Sequence, residues 1–254
     1  MAYQRPRRRP GGRRDEILEL FTAFVAERGY DGTNFGDLAQ ELGVSKGTIV
    51  HHFGTKERML EEQRAHYLRR RLAEASVVLR SLDSPSEQLA AFIHLFVFSY
   101  RDDRASTVAF AREVVRFSEE SVMRRVSQLR DEYTSIVRSV VQRGMDSGEF
   151  RPGDAALVTL QIFGACNWAW TWFKPRGRCT AEQVAASFTD VFLTGLVARP
   201  PIGAELTAPG GPVLRAVLKA TEAARSVGVP EPAAPVIEIA PADGAPAGSP
   251  PASA

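Results

Sequence analysis

"GVSKGTIVHHFGTKERML", residues 43–60, packs a glycine turn, a short helix and the start of a longer helix into eighteen residues. Gly43 turns the chain, and Ser45 is placed to cap a helix that runs to about Phe53. Gly54 ends that helix, and Thr55 caps a long one rich in Arg and Glu that reaches roughly Arg80. Upstream, Asn34 with Asp37 resembles a capping box that opens a helix through Leu42. Two short helices joined at a glycine make the helix-turn-helix layout. Leu38, Ala39, Leu42, Val44 and Ile49 supply a small apolar seam that would hold the pair at a wide angle.

The first turn of the second helix then carries Ser45, Lys46, Gly47 and Thr48, all small or cationic. Small residues let a backbone approach the floor of a DNA major groove, and a helix N-terminus favours phosphate. Lys46 can donate to guanine or to phosphate, and Thr48 can bond a base edge or touch a thymine methyl. His51 and His52 are consecutive, so they point about 100° apart and do not easily hold one metal ion. No acid sits at the spacing of a helical metal pair, so no metal is expected here. Imidazole N–H donation to phosphate fits better, the alternatives being ordinary surface residues or one ring packed between helices.

The chain has 254 residues and a net charge of +2. Residues 1–14 hold Arg5, Arg7, Arg8, Arg9, Arg13 and Arg14 and no acid, which leaves −4 for the remainder. A mildly acidic body with a basic arm at residues 1–12 suits a polyanion at that end; the alternative is a solvated tail. Cys166 and Cys179 are the only cysteines, lie in no metal-type spacing, and read as reduced thiols of a cytoplasmic protein. The basic arm is followed at once by Asp15, Glu16 and Glu19 rather than an apolar run, so no secretory leader is expected. The most apolar stretch, "AALVTLQIFGACNWAWTWF" at 155–173, is interrupted by Gln161 and Asn167 and reads as a buried helix, not a membrane span.

Helical periodicity recurs through the chain and strand signals are nearly absent, so the expected fold is all-α with about nine helices. Ile17, Leu20, Phe21, Phe24 and Val25 form the stripe of a first helix ending at Gly29. Ser84-Pro85-Ser86-Glu87 is a strong helix start. Further helices are expected at about 104–117, 119–146, 154–173 and 180–197, the last opened by Thr180 with Gln183. The division is a basic arm at 1–12, a helix-turn-helix unit at 13–54, a larger helical domain at 55–199 and an Ala/Pro-rich tail at 200–254. In that tail Val213, Leu214, Val217 and Leu218 could form a short amphipathic helix, and the rest is expected to be disordered.

"GVSKGTIVHHFGTKERML", with "LAQELG" before it, resembles the N-terminal signature of the TetR family of bacterial transcriptional regulators. The motif covers roughly residues 13–60, and the helix pattern roughly 13–198. The resemblance implies three N-terminal helices on double-stranded operator DNA and a larger helical domain that binds a small effector. It places Thr33 and Asn34 at the start of the second helix, and Arg13 and Arg14 of the basic stretch are further candidate DNA contacts. Ser45, Lys46, Gly47 and Thr48 match the beginning of the recognition helix, and His51 and His52 its end. Thr55 and Lys56 match the phosphate-contacting start of the fourth helix. The family usually has Tyr where this chain has Val50, which removes one backbone or thymine contact.

Between residues 55 and 198 there is no Ser-His-Asp set, phosphate loop or paired-histidine motif, so neither enzyme activity nor a cofactor is expected. Aromatic density is high instead. Phe92, Phe96, Phe110 and Phe163 would line a pocket with Asn167 and Trp168, and Arg112 and Arg116 would form its cationic mouth. Core packing for the aromatics and surface placement for the arginines are the plainer alternatives. "QRGMDSGEFRPG" with "NWAWTWFKPRGRCTAEQV" resembles the C-terminal half of TetR-type regulators of fatty-acid and steroid-ring breakdown. That resemblance implies an acyl-CoA thioester as the hydrophobic effector, and a homodimer built on the last two helices. The expected function is a ligand-released repressor. An activator of the same fold, or a helical small-molecule-binding protein or enzyme without DNA binding, are the alternatives.

Overall fold

A computed structural model of the chain describes residues 12–113, 123–196, 206 and 208–225. Ten α-helices and no strand occur among them: α1 (Arg13–Arg28), α2 (Phe35–Leu42), α3 (Lys46–Phe53), α4 (Lys56–Ser81), α5 (Pro85–Asp102), α6 (Arg104–Arg112), α7 (Arg124–Asp146), α8 (Ala155–Trp168), α9 (Ala181–Leu196) and α10 (Pro212–Arg225). The helix starts follow the capping chemistry of the sequence. Side chains of Asn34, Ser45, Thr55, Ser84 and Asp154 each accept a backbone N–H of the first turn, which satisfies donors the helix itself leaves open. Thr180 and Gln183 form a reciprocal capping box.

Two boundaries differ from expectation, and one pair cannot be compared. The helix expected through Phe173 ends at Trp168 and tightens into a 3₁₀ turn at Ala169–Thr171. The Tyr100 hydroxyl, reaching across from α5, donates to the carbonyls of Cys166 and Asn167 at 3.2 and 3.0 Å just where the pitch changes. α6 closes at Arg112 and α7 is described from Arg124, so the expected boundaries at 117 and 119 lie outside the described residues. The ordered body does not stop near 199. α10 packs along α4 and α5, burying Val213, Ala216, Val217, Ala220 and Ala224. Three of those five residues are alanines, so a pattern of bulky apolar residues shows only part of the buried stripe.

One hydrophobic core runs from Ile17 on α1 to Ala220 on α10, without a break at residue 54. α4 is its axis, since α1, α3, α5, α6, α7 and α10 all pack against it. The run Gly144 to Phe150 shows how α7 is closed. Gly148 takes φ +74°, and the Phe150 ring lies where a Cβ on Gly144 would sit, only 2.2 Å away. No helix among the described residues is long and apolar enough to cross a membrane.

Candidate nucleic-acid interface and effector region

The α2–α3 pair is joined by a Schellman turn. Gly43 has φ +64°, its N–H donates to the Gln40 carbonyl at 3.3 Å, and the Val44 N–H donates to the Ala39 carbonyl at 3.0 Å. Leu38 and Ile49 are fully buried between the helices, with Leu42 and Val44 packed against them. With that side held inward, the first turn of α3 faces out. Ser45, Lys46 and Gly47 are exposed and Thr48 is half-buried. Ser45 Oγ accepts the Thr48 N–H at 3.1 Å and lies 3.0 Å from Thr48 Oγ1, so the cap also positions the threonine hydroxyl. The Lys46 side chain folds back across Gly36, where a β-carbon would stand 3.0 Å from its Cε. Val50, 48% exposed, continues the outward face as an apolar residue.

The remaining expected DNA contacts divide. His51 is exposed and His52 half-buried, with ring centroids 5.5 Å apart at 65°. Thr55 is exposed and its hydroxyl accepts the Arg58 N–H at 3.2 Å. Asn34 is exposed and caps α2 through the Asp37 N–H at 3.0 Å. Arg13 is exposed and pairs with Glu16 at 2.6 Å. Thr33 is the correction. It is fully buried and its hydroxyl donates to the Gly29 carbonyl at 2.9 Å, so its side chain supports the α1–α2 turn. Two cations are also already engaged. Arg14 pairs with Glu62 and lies 4.8 Å from the centre of the Phe53 ring, while Lys56 Nζ lies 4.0 Å over Tyr30. Both contacts tie α1 and the loop after it to α3 and α4.

The expected effector residues do not form one group. Phe96 and Phe163 meet at 5.3 Å between centroids, and Tyr133 of α7 stacks on Phe163 at 6.1 Å and meets Phe92 at 6.3 Å. Phe110 instead stacks on Tyr67 of α4 at 4.5 Å. Arg112 is engaged at the end of α1. Its Nη1 donates to the carbonyls of Ala26 and Glu27 at 2.9 and 3.1 Å, closing the C-terminus of α1, and its guanidinium lies 5.6 Å from Trp170. Trp168 is 64% exposed and points away from the aromatic set, because the helix turns its other side, through Ile162 and Cys166, to the core. Asn167 contributes its backbone carbonyl to Tyr100. Arg116 lies outside the described residues. With Trp168, the exposed Leu157, Leu160 and Val191 give α8 and α9 an uncovered apolar surface.

Sequence reasoning missed the charged stripe buried on α4. Arg64, Arg71 and Glu74 are each under 5% exposed, and Arg71 meets Glu74 at 2.7 Å. Burial lowers the Arg64 guanidinium to about 10, raises Glu74 to about 7 against the opposing pull of Arg71, and raises Cys166 to about 12. The guanidinium of Arg64 lies 5.3 Å from the Phe110 ring and that of Arg71 5.1 Å from Tyr67, so the two cations flank the stacked pair. The spacing 64, 67, 71, 74, 78 is a helical stripe, and it was legible once charged residues were admitted to it. Among the described residues no group of three or more His, Cys, Asp or Glu side chains could hold a metal ion.

Comparison with known proteins agrees with this layout. Residues 17–62 match the family model described as bacterial regulatory proteins, tetR family, and residues 82–196 match that of the tetracyclin repressor-like C-terminal domain. The chain is 28% identical over 188 residues to the HTH-type transcriptional repressor KstR2 of Mycolicibacterium smegmatis, covering 74% of this chain and 92% of that protein. The solved structure of the ketosteroid transcriptional regulator KstR2 of Mycobacterium tuberculosis superposes with a TM-score of 0.69 at 27% identity, over 75% of this chain and 98% of that one. PfmR of Thermus thermophilus, a TetR family transcriptional regulator, is 32% identical with a TM-score of 0.63, over 70% of this chain and 97% of its own. With its Ser45-capped outward helix, its all-helical body and both family models matched in order along it, the chain belongs to the TetR family of bacterial transcriptional regulators.

Proposed function

We propose that the chain works as a cytoplasmic homodimeric repressor that binds a palindromic operator and releases it when a small hydrophobic effector enters the α4–α9 body. The observation that carries this is the first turn of α3. Lys46, Gly47 and Thr48 stand outward on a helix whose inner side is anchored by Ile49 and whose N-terminus is already capped. Such a surface docks by its helix N-terminus and reads base edges through two or three side chains. His51, Thr55 and the basic arm would add phosphate contacts. The apolar surface of Leu157, Leu160, Trp168 and Val191 would be buried by a second copy in a four-helix arrangement of α8 and α9. The repressor sense follows the KstR2 proteins, which carry that description.

For the effector, we propose an acyl or ring-derived CoA thioester. Phe92, Phe96, Tyr133 and Phe163 would contact its apolar part, at roughly 0.8 kcal/mol per buried CH₂. A ligand there touches α5, α7 and α8 and lies beside α4, which leads directly into the recognition unit. Release requires that it bind the geometry without DNA more tightly than the other. The test is a screen of acyl-CoAs, free fatty acids and uncharged aromatics for loss of operator binding. Release by thioesters is expected. Release by uncharged planar compounds with no response to any thioester would replace this effector class with a multidrug-type one.

A further inference from the structure

α10 lies beyond the residues that match the family's C-terminal model, which end at Leu196, yet it is docked against α4 and α5. Where it covers α4 and α5 a partly open cavity of about 210 Å³ lies between them. The charged lining is Arg70, Arg71 and Glu74 from α4, Asp102 and Asp103 from the end of α5, and Arg225 from the last turn of α10. Leu95 and Phe98 give it an apolar floor, and Thr221 of α10 closes the remaining side. None of these residues belongs to the aromatic set of Phe92, Phe96, Tyr133 and Phe163.

The polar wall is incompletely satisfied. Arg70 Nη1 pairs with Asp103 Oδ2 at 2.7 Å, and Arg71 Nη2 with Glu74 Oε1 at 2.7 Å. Arg70 Nε, Arg71 Nε and Nη1, Glu74 Oε2 and Asp103 Oδ1 have no hydrogen-bond partner among the described residues. Arg71, Glu74 and Asp103 are all more than nine-tenths buried. Five unmatched polar atoms lie in one small region beside the cavity, so the ion pairs there are short of hydrogen-bond partners. The charges select its class. Three guanidinium groups and three carboxylates share the lining, so a simple anion meets Glu74, Asp102 and Asp103, and a simple cation meets Arg70, Arg71 and Arg225. A molecule carrying both charges is matched by both sets.

We propose that the α4–α5–α10 cavity is a second small-molecule site, separate from the aromatic effector region, for an amino-acid-sized zwitterion with an apolar side chain. Its carboxylate meets guanidinium groups of the lining, Arg225 among them, its ammonium the carboxylates, and its side chain rests on Leu95 and Phe98. Because the pocket is walled by α4, occupancy would also stiffen the helix that carries the recognition unit.

The test is isothermal titration calorimetry and thermal shift on the full chain without DNA, so its outcome is independent of the operator and effector readings. The probes are L-leucine and L-phenylalanine, each compared with its single-charge halves: 4-methylpentanoate and isoamylamine, 3-phenylpropanoate and phenethylamine. Saturable binding of an amino acid is expected, with both halves at least tenfold weaker. Thr221→Phe, which fills the cavity, and Arg225→Gln, at the exposed end of α10, should each weaken binding at least tenfold. Glu222→Gln, exposed on the same helix and not in the lining, should leave it unchanged. Circular dichroism and melting of Thr221→Phe check that α10 stays docked, and Arg225→Gln carries the test if it does not. No heat with either amino acid, halves that bind equally well, or wild-type affinity in Arg225→Gln would each overturn the proposal.

Discussion

Replacing Arg112 by alanine should loosen the joint between the recognition unit and the rest of the protein. Arg112 sits at the last turn of α6, and its Nη1 donates to two carbonyls at the end of α1. Those carbonyls have no partner within α1, because the last turn of a helix leaves its acceptors open. A charged donor on such acceptors contributes about 1.5–3 kcal/mol, and a cation at a helix C-terminus about 0.3–1 kcal/mol, the two overlapping here. Arg112 is half-buried, so solvent screening favours the lower part of that range, about 2 kcal/mol. At about 2–4 °C per kcal/mol for a chain of this size, the melting temperature should fall by about 4–8 °C. Arg112→Lys should recover part of the loss, since it keeps the charge but not the planar contact with Trp170. The assay is thermal unfolding at one fixed protein concentration, because dimerisation makes the midpoint concentration-dependent. A midpoint within 1 °C of wild type for Arg112→Ala would refute the reasoning.

Other perturbations follow from the same geometry. Gly144→Ala should destabilise by roughly 1–3 kcal/mol, read by denaturant unfolding, because its methyl group meets the buried Phe150 ring. His66 and His94 are held below the ordinary imidazole value of 6.5, chiefly by burial. The unfolded chain therefore takes up protons first, and their contribution to stability is present above pH 6.5 and is lost as pH falls below it. Glu74 works in the opposite sense, its raised carboxyl favouring the fold at low pH and losing that contribution as pH rises toward about 7. Melting His94→Gln beside wild type between pH 5 and 7.5 should show a shallower decline on the acid side for the variant. Deleting residues 1–12 removes Arg5, Arg7, Arg8 and Arg9, and the slope of log affinity against log salt should fall by about 0.9 for each phosphate that the arm neutralises. An unchanged slope would make the arm a bystander.

The helix-turn-helix unit was legible because its signals are local. Asn34, Ser45 and Thr55 cap the helices they precede, and Gly43 and Gly54 take the positive φ that ends them. What was not legible depended on residues distant in sequence. Arg112 reads as a pocket cation until α6 is laid against α1, 85 residues earlier. The aromatic density of the larger domain was visible, but its partition was not. Tyr133, from a helix rich in Arg, is what joins Phe92 to the Phe96–Phe163 pair. The abundance of Arg and Glu in α4 gives no sign of its central place, yet it is the axis of the core and six helices pack against it.

The central claim is that the exposed first turn of α3 reads DNA. The direct measurement is to select a binding site from random duplexes and from the DNA upstream of its own coding sequence. Affinities of wild type, Lys46→Ala and Thr48→Ala are then compared on that site at fixed salt. The account predicts a palindromic site whose half-sites are about one helical turn apart, ~34–36 Å, or slightly more. Each variant should lose affinity for it by about 1–3 kcal/mol, or roughly 5- to 150-fold, with circular dichroism and melting unchanged. Wild-type affinity in both variants, or no selected site at all, would contradict it.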